Sequence, residues 1–171
     1  FNAILYLIGG LIFIAGSVLF LPTYQQYVAV GVYLFLIGSL VYLVVTGHDL
    51  LESISFSRSL RKLTLWNWLE FLSANVYTAG TILFIIGSIF FLPRIDQGTE
   101  GGWCFIIGSL LFLIGACINV LQIIQANAPL LLQLQNATAI AYSLGSLLFL
   151  VASIPYVWQA IAPSDQPEVF S

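Results

Sequence analysis

Apolar residues run in five long stretches, roughly 2–21, 28–47, 71–92, 102–125 and 130–154, separated by polar breaks. A helix crossing the ~30 Å hydrocarbon layer needs about 20 apolar residues. Each stretch therefore predicts one membrane span. Proline punctuates them. Pro22 and Pro93 end the first and third stretches, because proline cannot continue a helix. The breaks 22–27 (PTYQQY) and 93–101 (PRIDQGTEG) are short, so spans one and two, and spans three and four, are antiparallel neighbours. Pro129 suits the first turn of the last span, with Asn127 before it as a cap, and Pro155 is expected to kink or end that span.

The break at 48–70 is different. Phe56, Leu60 and Leu63 share one helical face, while Arg58, Arg61 and Lys62 lie on the other. That pattern predicts a short amphipathic helix in the membrane interface, with its cations meeting lipid headgroups or a partner. Trp66 and Trp68 follow where an aromatic belt would sit.

The pattern also repeats. Residues 6–22 (YLIGGLIFIAGSVLFLP) return at 77–93 as YTAGTILFIIGSIFFLP, and GVYLFLIGSL (31–40) has a counterpart ending in FIIGSL at 110. Each unit holds two spans, so both enter the membrane in the same direction. The fifth span copies a first helix: Tyr142, Gly145, Phe149 and Ser153 fall over Tyr77, Gly80, Phe84 and Ser88. The expected fold is an all-α integral membrane protein. It has two parallel-related hairpins (1–47 and 71–125) joined by the 48–70 linker, a half repeat (126–161) and a polar tail (162–171).

Glycines recur every seven residues: Gly9 and Gly16, Gly31 and Gly38, Gly80 and Gly87, Gly101, Gly108 and Gly115, with Gly145 and Ala152 in the fifth span. Residues seven apart share a helix face. Lipid supplies no hydrophobic drive for helix association, so close backbone contact over small residues must hold the bundle. These glycines are expected to pack helices. The alternative is that their grooves hold lipid, or a flat pigment such as chlorophyll or a carotenoid. No cofactor or metal is otherwise predicted.

The motif N-x-x-x-x-G-x-x-x-F-I-I-G-S, carried by Asn75, Gly80 and Phe84 to Ser88, resembles the YrhK-like domain family. Leu69-Glu70-Phe71 and Phe105-Ile106-Ile107-Gly108-Ser109 fit it too. The likeness is best over 66–120, weaker over 1–47 and half present over 136–155. In the first copy Ile4 stands where the second has Asn75. The resemblance implies tandem two-helix membrane units, no established reaction and no catalytic residues.

Composition agrees: 60% of residues are hydrophobic and 6% charged, against roughly 25% charged in a soluble domain. The net charge of −3 gives no footprint for nucleic acid. The N-terminus and the breaks at 48–70 and 126–129 share one side, with three Lys/Arg against Arg94 alone on the other. The positive-inside rule then places the N-terminus in the cytoplasm, or its stromal or matrix equivalent. The chain opens on Phe1 and holds no Met, which predicts a processed or partial product.

Reactive groups are sparse. His48 and Glu52 offer a metal only two ligands, and a site needs a third. Ser59 and Lys62 mimic S-x-x-K without its companion motifs. Cys104 and Cys117 lie about 20 Å apart along one span, too far to bond to each other, and read as buried small apolar residues. The best candidate for a polar pocket is an amide cluster: Asn119, Gln122 and Gln125 near the end of span four, facing Gln133 and Asn136 across the turn. The expected function is a non-catalytic structural or accessory subunit of a larger membrane assembly, photosynthetic or respiratory, with lipid and other membrane subunits as partners. A small carrier or channel is the alternative, and a membrane enzyme the third reading.

Overall fold

The computed structural model describes residues 2–59, 64–123 and 129–161. They form α1 (Asn2–Leu19), a 3-10 turn (Pro22–Tyr27), α2 (Val28–Ser59), α3 (Leu65–Phe90), α4 (Gly98–Ile123) and α5 (Pro129–Ile161), with no strand among the described residues. Four of the helices are long and apolar enough to cross a membrane, and α1 is a shorter apolar helix. Tyr24, Tyr27, Trp103 and Trp158 are exposed towards one end of the molecule, and Trp66 and Trp68 towards the other. Such rings suit the two membrane–water interfaces.

The helix ends follow local chemistry. Pro22 opens the 3-10 turn. The Thr64 hydroxyl caps α3 by accepting from the Asn67 N–H at 3.3 Å. Asp96 takes a positive φ of 50° in the α3–α4 turn, which short polar side chains tolerate.

One expectation about the helix boundaries needs correction. Among the described residues of the 48–70 segment there is no separate interfacial helix, because residues 48–59 continue α2 and 65–70 open α3. Neither Gly nor Pro lies between His48 and Ser59, and extending a formed helix costs little beside nucleating a new one. At 32 residues, α2 is about 48 Å long, so its last turns project beyond the hydrocarbon layer. Phe56 and Arg58 are exposed there, while Leu60, Arg61, Lys62 and Leu63 lie outside the described residues. Pro155 lies inside α5 and does not end it, since the helix runs on to Ile161. Membrane helices tolerate such prolines.

Helices pack in chain order, α1 on α2, α2 on α3, α3 on α4, α4 on α5, and α1 and α5 do not pack against each other. The result is an arc. Its interior is aromatic. Every helix carries the pattern F-x-x-(G/A)-S, beginning at Phe13, Phe35, Phe84, Phe105 and Phe149. These rings converge, with centroids 5.0 Å apart for Phe84–Phe149, 5.1 Å for Phe84–Phe105, 5.2 Å for Phe35–Phe149 and 5.3 Å for Phe13–Phe35. The serines that end the pattern turn back on their own helices. Ser17, Ser39, Ser88 and Ser153 each donate to the carbonyl of the phenylalanine four residues earlier, at 2.7–2.8 Å. Ser109 differs, its buried hydroxyl having no partner.

Rings and glycines interlock within each hairpin. A Cβ added at Gly108 would lie 2.7 Å from the Phe84 ring, and at Gly87 2.8 Å from Phe105. In the first hairpin the same pairs are looser: Gly38 would meet Phe13 at 3.3 Å and Gly16 would meet Phe35 at 3.4 Å. Gly9, Gly31, Gly80 and Gly115 are likewise buried against the neighbouring helix. Gly145 is the exception and the correction: it is exposed, and an added Cβ would meet nothing within 4 Å. The hairpins are joined where Thr78 Oγ1 donates to the Thr46 carbonyl at 3.0 Å.

Gly108→Ala or Gly87→Ala should therefore destabilise the bundle by about 1–3 kcal/mol through overpacking. Gly145→Ala should be neutral or slightly stabilising, since alanine favours helix by about 1 kcal/mol over glycine. Thermal unfolding in detergent reads the difference. Equal melting temperatures for Gly108→Ala and the unmodified chain would show that the ring does not fill that notch.

Candidate functional site

Among the described residues, a polar and an apolar cavity stand out. The first is polar, about 520 Å³, and opens near the projecting end of α2. It sits between the hairpins: Tyr6, Thr46, Asp49, Glu52 and Ser53 come from α1 and α2, and Glu70, Ser73, Tyr77 and Asn119 from α3 and α4. Its two halves correspond. In the first hairpin the Tyr6 hydroxyl donates to Asp49 Oδ2 at 3.4 Å. In the second, Asn119 Nδ2 donates to the Tyr77 hydroxyl at 3.1 Å, and Ser73 Oγ donates to Asn119 Oδ1 at 3.0 Å. Asp49 thus lies under one tyrosine, 43 residues on, and Asn119 under the other, 42 residues on. Glu52 and Glu70 add two more carboxylates to the lining, giving the cavity an anionic wall. His48 Nδ1 lies 3.7 Å from Asp49 Oδ1, and donor atoms of His48, Asp49 and Glu52 lie within 4.8 Å of one another.

The second cavity is an apolar groove of about 830 Å³ between α1 and α5. Its floor is the phenylalanine cluster, with Phe112, Tyr42 and Tyr142 beside it. Ile14 and Val18 of α1 form one rim, and Gly145, Leu148 and Ala152 of α5 form the other. Ile14 and Leu148 are 63% and 66% exposed, so the groove opens sideways, towards where lipid would lie.

The YrhK-like protein family model matches residues 1–54 and again 67–124, well over half of the chain. The chain belongs to the YrhK-like family. The two matches stand in tandem, one on each hairpin. No curated protein and no solved structure matches the chain.

In this YrhK-like chain the expected amide cluster does not assemble as read. Asn119 lies in the polar cavity, and Gln122 is half-buried on the next turn of α4. Gln133 and Asn136 are exposed on α5 and line neither cavity. Gln125 lies outside the described residues. The reason is helical phase: α5 buries Ala139, Ser146 and Ser153, a seven-residue stripe that positions 133 and 136 miss. Cys117, read as a small apolar residue, is exposed, and Cys104 is half-buried. The sequence reading paired His48 with Glu52 but passed over Asp49 between them, which the repeat could have flagged because it falls opposite Asn119 when the Gly-Ser dipeptides are aligned.

Asn119→Leu strips partners from both Ser73 and Tyr77, so it should cost about 1–3 kcal/mol. Tyr6→Phe removes one long bond beside a half-buried carboxylate and should cost less. Chemical denaturation of the two variants in one detergent checks the order, and a larger loss for Tyr6→Phe would overturn it.

Proposed function

We propose that this chain is a non-catalytic accessory subunit that helps hold a larger membrane assembly together. The observation that carries this reading is the sideways-opening aromatic groove. A bundle whose phenylalanine interior is left open between its first and last helices offers rigid, apolar contact area. Rings and small residues are what helix–helix recognition in lipid uses, because tight van der Waals contact must do the work. The exposed Trp and Tyr at both ends support a multi-pass orientation, and the excess of Lys/Arg in 48–70 supports an N-terminus on the cytoplasmic, stromal or matrix side. On that topology the polar cavity opens to the same side.

The polar cavity favours a second reading, a small cation carrier. Transporter sites commonly lie between structural repeats, and this cavity lies between two hairpins with three carboxylates on its wall. Against this, the cavity sits at the end of the bundle, while the interior beyond it is closed by phenylalanines.

Two measurements separate the readings. Purified from native membranes in mild detergent, the chain should run with other membrane polypeptides rather than alone. In sealed liposomes it should show no selective cation flux. A flux abolished by Asp49→Asn would overturn the accessory reading and promote the carrier.

A further inference from the structure

We infer that the groove between α1 and α5 is the seat of a sixth transmembrane helix of the α2/α4 type, supplied by a partner polypeptide. This rests on the accessory-subunit reading and names the kind of partner.

The argument comes from comparing three equivalent helices. By the sequence repeat, α1, α3 and α5 are first-type helices, and α2 and α4 are second-type. In the arc, α2 fills the space between α1 and α3, and α4 the space between α3 and α5. Each first-type helix thus has a face towards the helix before it and a face towards the helix after it. α3 has both covered. On its preceding face Ser88 is fully buried, and on its following face Gly80 is packed by Phe112 at 2.8 Å.

The same positions on α1 and α5 reveal what is missing. On α5 the preceding face is covered by α4, with Ser153 3% exposed. Its following face is bare: Gly145, the counterpart of Gly80 and Gly9, meets nothing, although Gly9 is packed by Tyr42 at 3.6 Å. Ala152, the counterpart of the buried Gly87 and Gly16, is exposed. On α1 the pattern inverts. Its following face is covered by α2, while on its preceding face Ser17, the counterpart of Ser88 and Ser153, is exposed. The bare faces of α5 and α1 flank one groove. A second-type helix covers both such faces at each of the other two positions.

The groove also has the right contents. A second-type helix sends two rings inward, seven residues apart: Phe35 and Tyr42 from α2, Phe105 and Phe112 from α4. The empty volume beside Gly145 and Ala152 is where the corresponding two rings would sit. A second copy of the chain cannot supply them, because its own α2 and α4 bury these faces within its own arc. The partner helix is therefore one with glycine or another small residue three positions after an aromatic, repeated along one face.

The test uses the full chain in lipid nanodiscs and a fluorescent synthetic peptide of residues 98–123, the α4 sequence, as the probe. Saturable binding is expected. Gly145→Leu in the chain, where the structure offers room for the side chain, should weaken it about tenfold or more while leaving the melting temperature unchanged. A peptide carrying Gly108→Leu should bind no better than a scrambled one. In a cysteine-free background, Gly145→Cys in the chain should form a disulfide with a peptide carrying Phe112→Cys, and Ile37→Cys on α2 should not. Absence of binding, binding indifferent to Gly145→Leu or to the peptide's Gly108→Leu, or disulfides between two chains through Gly145→Cys would each overturn the inference. Native membrane partners that still co-purify with the Gly145→Leu chain would then leave the accessory reading standing, whereas a chain that purifies alone in both forms would overturn that reading as well.

Discussion

An aromatic ring seated in the notch left by a glycine on the neighbouring helix is the contact on which this structure depends. It occurs in both directions within each hairpin, Phe84 on Gly108 and Phe105 on Gly87, Phe13 on Gly38 and Phe35 on Gly16. In lipid, apolar side chains gain nothing by leaving the solvent, so only closer contact than lipid can offer favours association. A planar ring against bare backbone provides it. The second hairpin uses the device more tightly than the first, and it is also the half whose sequence most resembles the family motif.

That device explains what was legible in the sequence. Span number follows from the length of the apolar stretches and hairpin pairing from the short breaks between them, while seven-residue spacing places the glycines on one helix face, because a heptad marks one face whatever lies opposite. The aromatic interior was legible too, since Phe13, Phe35, Phe84, Phe105 and Phe149 stand at one place in one pattern. Reading Gly-Ser without the phenylalanine three residues earlier concealed it. Gly145 shows the limit of such reading. Its spacing is that of a packing glycine, yet packing needs a second surface, and spacing on one helix cannot say whether that surface is present.

The polar cavity was legible only in fragments. Asn119 was identified, but its neighbours Glu70, Ser73 and Asp49 come from other helices. Adjacency along the chain suggested Gln133 and Asn136 instead, which are exposed on α5. The continuation of α2 through Ser59 had the same origin. Charge along 48–59 signals an aqueous environment, but a helix can enter water without ending, and nothing in that stretch tells it to stop.

The serines of the repeated pattern have a consequence for how such a protein is built. Because Ser17, Ser39, Ser88 and Ser153 return their hydroxyls to their own helix, α1, α2, α3 and α5 each reach the bilayer with this hydroxyl already satisfied, and Ser109 leaves α4 the exception. Ser17 shows this directly, being exposed and bonded at once. At these positions such a span can wait in lipid alone and join its neighbours later, or part from them, because no cross-helix hydrogen bond through these serines has to be broken. Insertion and assembly thereby become separable steps, and the order in which the helices meet is left to shape.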